Sequence, residues 1–315
     1  MVVSIRLPES NGTYSRKRRY STRFSRKLLV VAVTLLFVLL FWLLGGDATD
    51  DDDEPIAWDL GEVKSGLTSL VIVTCHAVWL GGKAAGEDES EWAINDFQKG
   101  ETRTFIKHIE AGVSIALQNP ETLLVFSGGE TKASTGPRSE GSSYFNLAAA
   151  RDLIPADLLA RTTTEESAMD SYQNVLFSIS RFHEVTGTYP KTIIVISHEF
   201  KRERFQRFHR EAIQFPEEAF TFVGIDPDWA DETNTNKASI LEHEESTRAA
   251  WGVDLYACVE DDELREKRRG RNPMRRYNAY SISCPELVGL FRWCGLDEGT
   301  GITTRLYPGK LPWLD

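Results

Sequence analysis

The sequence predicts an α/β fold, with a mostly parallel sheet covered by helices on both faces and preceded by one transmembrane helix. Apolar runs of strand length alternate with stretches of helical spacing, which is the pattern of parallel strands joined by crossover helices. The runs are apolar at nearly every position, as expected of strands buried on both faces. A separate apolar run near the N-terminus predicts the membrane segment.

The predicted elements follow one another without internal repeats. Strands are predicted at 67–75, 121–129, 191–200 and 219–226. Helices are predicted at 104–118, 142–154, 162–182, 201–213 and 236–259. The segment 260–276, "EDDELREKRRGRNPMRR", is acidic and then strongly basic, and we interpret it as a loop or arm.

The predicted helix "TTTEESAMDSYQNVLFSISRF" has two different faces. Its apolar stripe, which includes Tyr172 and Val175, is typical of a core-facing surface. The other side carries short polar residues that lose little entropy when fixed, namely Ser167, Asp170, Ser171, Asn174 and Ser178. Thr163 or Thr164 would cap the helix. The polar face is either the wall of a ligand site or a capped helix packed near a loop.

Charge is distributed unevenly along the chain. Residues 1–27 hold eight Lys or Arg and one acid, or +7, so the net charge of -11 leaves -18 on residues 28–315. The acidic body argues against nucleic-acid binding.

Residues 28–44 form a 17-residue apolar run, followed by "DDDDE". This run favours a retained signal-anchor over a cleaved signal peptide, because "GGDATD" is a poor cleavage site. The positive-inside rule then predicts a cytosolic N-terminus and a lumenal body in the secretory pathway, the endoplasmic reticulum or the Golgi.

The four cysteines do not form a CxxC pair, so zinc and thioredoxin-like chemistry are not expected. Cys75 lies in an apolar run and is predicted to be a buried thiol. In an oxidising lumen Cys284 and Cys294 could pair.

Residues capable of chemistry follow three of the predicted strands. The carboxyl ends of parallel strands meet at one edge of a sheet, where ligands bind beside a topological switch point. We therefore expect the following residues to converge: Cys75, His76, Ser127, Gly128, Gly129, Glu130, Ser197, His198 and Glu199.

Each of these residues has a functional and a structural interpretation. His76 and His198 are predicted to transfer protons or contact an anion, although a single histidine is more often structural. Neither has a metal-ligand spacing, so no metal site is predicted. Gly128 and Gly129 would let backbone N–H groups approach an anion, or they form a tight turn. Lys201, Arg202 and Arg204 would reach a phosphate or carboxylate, or they form a solvated basic face.

Taken together, the motifs resemble the DUF218 family, also called the YdcF-like family, in its fungal-type branch. The segments that carry the resemblance span roughly residues 67–295, and they read "VIVTCHAVWLGG", "LLVFSGGETK", "GPRSEGSSYF", "TTTEESAMDSYQN", "VISHEFKRERFQRFH" and "CPELVGLFRWCG". The resemblance implies a Rossmann-like three-layer α/β/α fold with a cleft at the strand ends. A family member has been linked to S-adenosylmethionine binding, and bacterial relatives include inner-membrane proteins.

The family's helix motif, Glu-x-x-Ser-x-Asn-Thr-x-Glu-Asn, falls on residues 165–174. Ala, Asp, Ser and Gln here replace its Ser, Asn, Thr and second Glu. The first Glu and the last Asn persist, so the resemblance implies that Glu165 and Asn174 face a ligand. The family's strand-end Ser and Arg fall on Ser197 and Arg204, with Arg202 nearby.

These observations predict a single-pass membrane protein that binds or transforms a small phosphate-, nucleotide- or sugar-linked anion. Five segments are expected: a basic tail at 1–27, an anchor at 28–44, an acidic stalk at 45–66, a DUF218-like domain at 67–295 and an extension at 296–315. The predicted catalytic residues are Glu165, His76 and His198. The predicted ligand-binding residues are Ser127, Gly128, Gly129, Asp170, Asn174, Ser197 and Arg204. No cofactor is identified, and the alternative is a non-catalytic membrane scaffold that retains the fold.

Overall fold

The computed structural model describes residues 62–229, 237–260, 262–295 and 305–314, together with the single position Leu35. The predicted basic tail, the apolar run at 28–44 apart from Leu35, and most of the acidic stalk lie outside these residues. No helix within the described ranges has the length and apolar character needed to cross a membrane. The described residues from 62 onward belong to one compact unit.

Five parallel strands form the central sheet. They are β1 (Ser69–Thr74), β4 (Thr122–Ser127), β5 (Thr162–Glu165), β6 (Thr192–Ser197) and β7 (Phe220–Gly224), in the order β5-β4-β1-β6-β7. The chain adds strands outward from β1 to β5 and then returns to the other side of β1 for β6 and β7. The central strand β1 and its neighbour β6 therefore flank the topological switch point. A short antiparallel pair, β2 (Val78–Trp79) and β3 (Trp92–Ala93), lies apart from this sheet.

Helices connect the strands and extend the fold after β7. They are α1 (Thr102–Gln118), α2 (Glu140–Ala150), α3 (Ala156–Leu159), α4 (Ser171–Thr186), α5 (Arg210–Ala212), α6 (Lys237–Val253), α7 (Glu263–Gly270), α8 (Tyr280–Ser283) and α9 (Val288–Arg292). A π-helical stretch, Arg204–His209, runs directly into α5.

The sheet is covered on both faces, as its apolar strands predict. In β1, Leu70 and Ile72 pack in a cluster that contains the apolar residues of α4. Val71 and Val73 point the other way and pack in a cluster built from α1 and α2. This alternation places a core layer on each side of the sheet and confirms the α/β class with a parallel sheet, consistent with a Rossmann-like fold.

The prediction of a single helix at 162–182 is wrong for its first residues. Thr162–Glu165 is the edge strand β5, paired in parallel with β4. Three consecutive β-branched threonines favour a strand, and the sheet edge satisfies their backbone groups. Helix α4 begins only at Ser171, where the Asp170 side chain accepts a hydrogen bond from Gln173 N at 2.9 Å. Asp170 is therefore the cap, and neither Thr163 nor Thr164 is.

The prediction of a loop at 260–276 is also wrong in part, because these residues include α7. Asp262 caps this helix by accepting from Leu264 N, with acids in the first turn and bases in the last. That distribution complements the helix dipole. In the predicted C-terminal extension, the described residues pack on the core: Leu311 is fully buried and Trp313 Nε1 donates to Ile213 O.

The disulfide joins Cys258 to Cys294, with a Cα–Cα distance of 5.7 Å, so the predicted pairing of Cys284 with Cys294 is wrong. Cys284 is a fully buried free thiol at the end of α8, 3.6 Å from Ser180 O on α4. Cys258 follows α6 and reaches Cys294 only through the tertiary fold. Cys75 is a buried free thiol, as predicted.

Candidate functional site at the strand ends

A cavity of about 620 Å³ opens at the carboxyl ends of β1 and β6. His76 follows β1 and His198 follows β6, and both line it. The cavity therefore lies at the switch point of the sheet, where parallel α/β folds bind ligands. Residues from α6 and α7 form its far wall, among them His243, Glu244 and Lys267.

Three imidazole rings cluster on one side of this cavity. The ring centroids of His76 and His198 are 4.6 Å apart, and that of His108, from α1, lies 4.8 Å from His198 and 5.6 Å from His76. His198 also stacks on Phe200 at 4.8 Å. His108 is fully buried and His198 is 1% exposed.

Burial lowers the pKa of all three histidines, which keeps the rings neutral at neutral pH. Desolvation lowers the pKa of His76 and of His198 well below its usual value, with the charge of Lys201 adding to the effect. Burial lowers the pKa of His108 to about 4. Neutral imidazoles can accept protons or bind metal ions.

Five cationic side chains line the cavity: Lys132, Lys201, Arg204, Lys267 and Arg271. Arg204 pairs with Glu244, with Nη2 and Oε2 2.7 Å apart. Among the described residues, the other four form no salt bridge. Burial, followed by the charge of Arg204, lowers the pKa of Lys201 to about 7. Burial likewise lowers the pKa of Lys267 to about 8.

Four carboxyl groups also line the cavity, and two of them form salt bridges. Asp170 pairs with Arg268, and Glu244 pairs with Arg204. Burial raises the pKa of Glu101 to about 7, and it also raises the pKa of Glu140. A carboxyl that titrates near neutrality can donate or accept a proton, so Glu101 is equipped for general acid–base chemistry. The Cys75 thiol is not an activated nucleophile, because burial raises its pKa well above the usual value.

Glu165 is placed at the end of β5 and is fully buried behind the cavity wall rather than on a helix face. Its carboxylate accepts hydrogen bonds from Ser127 Oγ at 2.8 Å, Ser167 N at 2.7 Å and Tyr280 OH at 3.2 Å. It does not line the cavity. These donors tie β4, the β5–α4 loop and α8 together.

Ser127, Gly128 and Gly129 also support the cavity from behind. Gly128 N donates to Glu165 O and Gly129 N donates to Ala168 O, so the predicted approach of these N–H groups to an anion is wrong. A Cβ on Gly129 would lie 2.7 Å from Ala168 O. Gly129 is required by this close approach of the loop that follows β5, whereas a Cβ on Gly128 would lie 2.8 Å from Glu140 Cβ.

The remaining predicted residues differ in their access to the cavity. Asp170, Asn174 and Arg204 line it. Asn174 Nδ2 donates to Ser127 O at 3.0 Å, which fixes α4 against β4. Ser197 is fully buried; its Oγ accepts from Thr74 Oγ1 at 2.8 Å and lies 3.4 Å from His76 Nε2.

Several cavity residues were missed from the sequence, namely Glu101, His108, Lys132, Glu140, Lys267 and Arg271. Glu101 and His108 are seven residues apart around the start of α1, a spacing that places both on one helix face. Lys267 and Arg271 are four apart and would have shared a face had α7 been predicted. In both cases the sequence shows the spacing, but no local pattern indicates that this face of the helix packs against the strand ends.

The fold and this site define an α/β protein with a doubly wound parallel sheet and, at its switch point, a cavity lined by several charged side chains. The chain is similar to an uncharacterized protein of Saccharomyces cerevisiae, with 28% identity over an alignment of 296 residues covering 78% of this chain and 96% of the yeast protein. No protein-family model matches the chain. No solved structure matches it significantly.

Proposed function

We propose that the chain is a membrane-anchored protein of the DUF218 type that binds a small anionic ligand in the strand-end cavity and transforms it. The ligand carries a phosphate, as in a phosphorylated, nucleotide-linked or sugar-linked compound. The cavity cations hold its charge. His76, His198 and Glu101 are the groups placed to move protons.

The observation that carries this proposal is the set of four cavity cations without a salt bridge among the described residues. All four side chains are half-buried. A cation held partly out of water without an ion-pair partner is unfavourable, and folded proteins normally pair it. Lys201 and Arg271 instead contact neutral groups: Lys201 Nζ lies 3.4 Å from His76 Nδ1, and Arg271 Nη1 donates to Met169 O at 3.1 Å. An anion would supply the missing charge.

The lowered pKa of Lys201 supports the same conclusion. A lysine with a pKa of about 7 is charged in only part of the molecules at neutral pH. A bound phosphate stabilises the ammonium form, so ligand binding is expected to be coupled to proton uptake. The position of the cavity at the switch point agrees with the cleft of a Rossmann-like fold.

Ligand binding is tested by thermal unfolding of the full chain with inorganic phosphate, pyrophosphate, nucleotides, sugar phosphates and S-adenosylmethionine. A ligand at 100 times its dissociation constant stabilises the folded state by about 2.7 kcal/mol. Lys201→Met and Arg271→Met should each weaken binding ten- to hundredfold, because each removes a charge-assisted hydrogen bond worth about 1.5–3 kcal/mol.

The matched control is Lys191→Met, at an exposed position just before β6 on the opposite edge of the sheet. It should leave binding unchanged. If no anion stabilises the wild-type chain, or if all three variants bind alike, the anion-binding proposal is wrong and the non-catalytic scaffold is favoured.

The proposed topology rests on the basic tail and the apolar run at 28–44, with the N-terminus cytosolic and the body lumenal. Protease treatment of sealed microsomes tests it. The body should resist digestion until detergent is added. Digestion without detergent would show that the orientation is reversed.

A further inference from the structure

We propose that His76, His108 and His198 form a binding site for a divalent transition metal such as Zn²⁺, with the Glu101 carboxylate as the fourth donor. The site goes beyond the anion-binding proposal, since its donors are not the cations that hold the anion and metal binding does not require the anion. It gives His76, His198 and Glu101 a second role, as metal donors. It would place a Lewis acid at the edge of the cavity, within reach of a bound phosphate.

The geometry brings the three donors together from separate elements. One ligand nitrogen from each histidine can be chosen so that all three lie within 4.8 Å of one another. Tetrahedral Zn–N bonds of about 2.0–2.1 Å place the nitrogens about 3.3 Å apart. The rings therefore need to close by up to about 1.5 Å, a shift within the reach of side-chain rotation.

His108 is oriented as a metal ligand would be. Its Nε2 lies 2.8 Å from the backbone carbonyl of Ile225, which selects the tautomer with the proton on Nε2. Nδ1 then carries the lone pair, and this buried atom has no hydrogen-bond partner among the described residues. Metal-binding histidines typically donate their other N–H to a carbonyl or carboxylate in this way.

The ring nitrogens of His198 are the strongest indication of a bound metal ion. Both of its ring nitrogens are buried and lack a hydrogen bond within the described part of the chain. Its Nε2 lies 3.5 Å from Glu101 Oε2, too far for a good hydrogen bond but close enough for two ligands of one ion. Leaving a buried polar group unsatisfied destabilises the folded state, and a bound metal ion would remove that cost.

His76 is the third histidine ligand, and its present contacts are weak enough for a metal ion to replace them. Its Nε2 is 3.4 Å from Ser197 Oγ and its Nδ1 is 3.4 Å from Lys201 Nζ. The nearby cations Lys201 and Arg204 oppose a metal ion, whereas Glu101 favours it. Nitrogen and carboxylate donors in a four-coordinate set suit Zn²⁺ or Co²⁺ better than the hard cations Mg²⁺ and Ca²⁺.

The test is metal binding by the full chain, purified without a histidine tag and treated with a chelator. Titration with Zn²⁺ should show one site by calorimetry and raise the melting temperature. Co²⁺ should give the visible absorption of a low-coordinate nitrogen and oxygen environment. His108→Gln and His198→Asn should each weaken binding ten- to hundredfold or more, and Glu101→Gln about tenfold, as for lost metal ligands and their supports.

Controls separate the metal site from other effects. His243→Ala removes a cavity histidine outside the cluster and should leave Zn²⁺ affinity unchanged. Arg271→Met should weaken anion binding but keep the metal, so failure of one proposal is distinguishable from failure of the other. If the wild-type chain binds neither Zn²⁺ nor Co²⁺, or binds them as well as folded His108→Gln and His198→Asn, the metal proposal is wrong. Circular dichroism verifies that each variant is folded.

Discussion

The guanidinium of Arg204 and the carboxylate of Glu244 form a buried ion pair, with Nη2 and Oε2 2.7 Å apart, that joins the start of the π-helical stretch to α6. The two side chains are only 10% and 7% exposed. The pair forms part of the cavity wall. Substitutions at this pair therefore show whether Arg204 mainly binds a ligand or mainly stabilises the fold.

The first prediction concerns this pair. Arg204→Ala leaves the Glu244 carboxylate buried without a counter-charge, so we expect a loss of about 3–5 kcal/mol in unfolding free energy. Urea denaturation measures it. The double variant Arg204→Met with Glu244→Met should recover most of the loss, because two apolar side chains of similar volume replace the pair. If the double variant is as unstable as the single one, the pair is not what Arg204 stabilises.

The second prediction concerns Glu165 and pH. Burial raises the pKa of Glu165 to about 7, from a usual value near 4.5, while hydrogen bonds from Ser127 and Ser167 limit the rise. The folded state therefore binds a proton more tightly than the unfolded state. Its contribution to stability is fully present below pH 4.5 and is lost as the pH rises through 7. We expect the stability advantage of wild type over Glu165→Gln to fall by about 2–3 kcal/mol between pH 5 and pH 8.

Chemical denaturation of both proteins across that pH range provides the test. Glu218→Gln, at an exposed position, is the control for the substitution itself. A constant difference between wild type and Glu165→Gln at every pH would contradict the raised pKa.

The third prediction concerns the glycine after β4. In Gly129→Ala the new methyl group would lie 2.7 Å from Ala168 O and 2.9 Å from Met169 Cε. The carbonyl belongs to the backbone and cannot yield easily, so we expect a loss of about 1–3 kcal/mol in unfolding free energy. Gly252→Ala is the matched control, because in α6 the new methyl group meets Phe208 at 3.5 Å, an ordinary contact. That variant should be neutral or gain up to about 1 kcal/mol from helix propensity.

The fourth prediction concerns the disulfide. Cys258 and Cys294 enclose a segment that carries Lys267 and Arg271 to the cavity. Cys258→Ser should reduce the unfolding free energy by about 2–4 kcal/mol under oxidising conditions, since cross-linking restricts the unfolded chain. Non-reducing peptide mapping of the wild-type protein should recover one cross-linked peptide containing Cys258 and Cys294. Recovery of a peptide linking Cys284 to Cys294 would contradict the structure, and Cys284→Ala should leave the map unchanged.

Much of the fold was predictable because it depends on local pattern. The runs around β1, β4 and β6 are apolar at successive positions, and burial on both faces of a parallel sheet requires this. The strand ends carrying His76 and His198 were predicted to meet, and they do, because parallel strands expose their carboxyl ends at the same edge. The stretch Thr162–Glu165 was misread, since four residues at a sheet edge carry too short a pattern to distinguish a strand from the first turn of a helix.

By itself the sequence determined the α/β class, the central strands and the edge of the sheet where polar residues gather. These follow from continuous apolar runs, which burial on both faces of a parallel sheet requires and which each segment carries within itself. Only the tertiary structure decided that Glu165 accepts hydrogen bonds from Ser127, Ser167 and Tyr280, that His108 joins His76 and His198, and that Cys258 pairs with Cys294. Each of these depends on the distance between segments remote in the chain, and no local pattern encodes that distance.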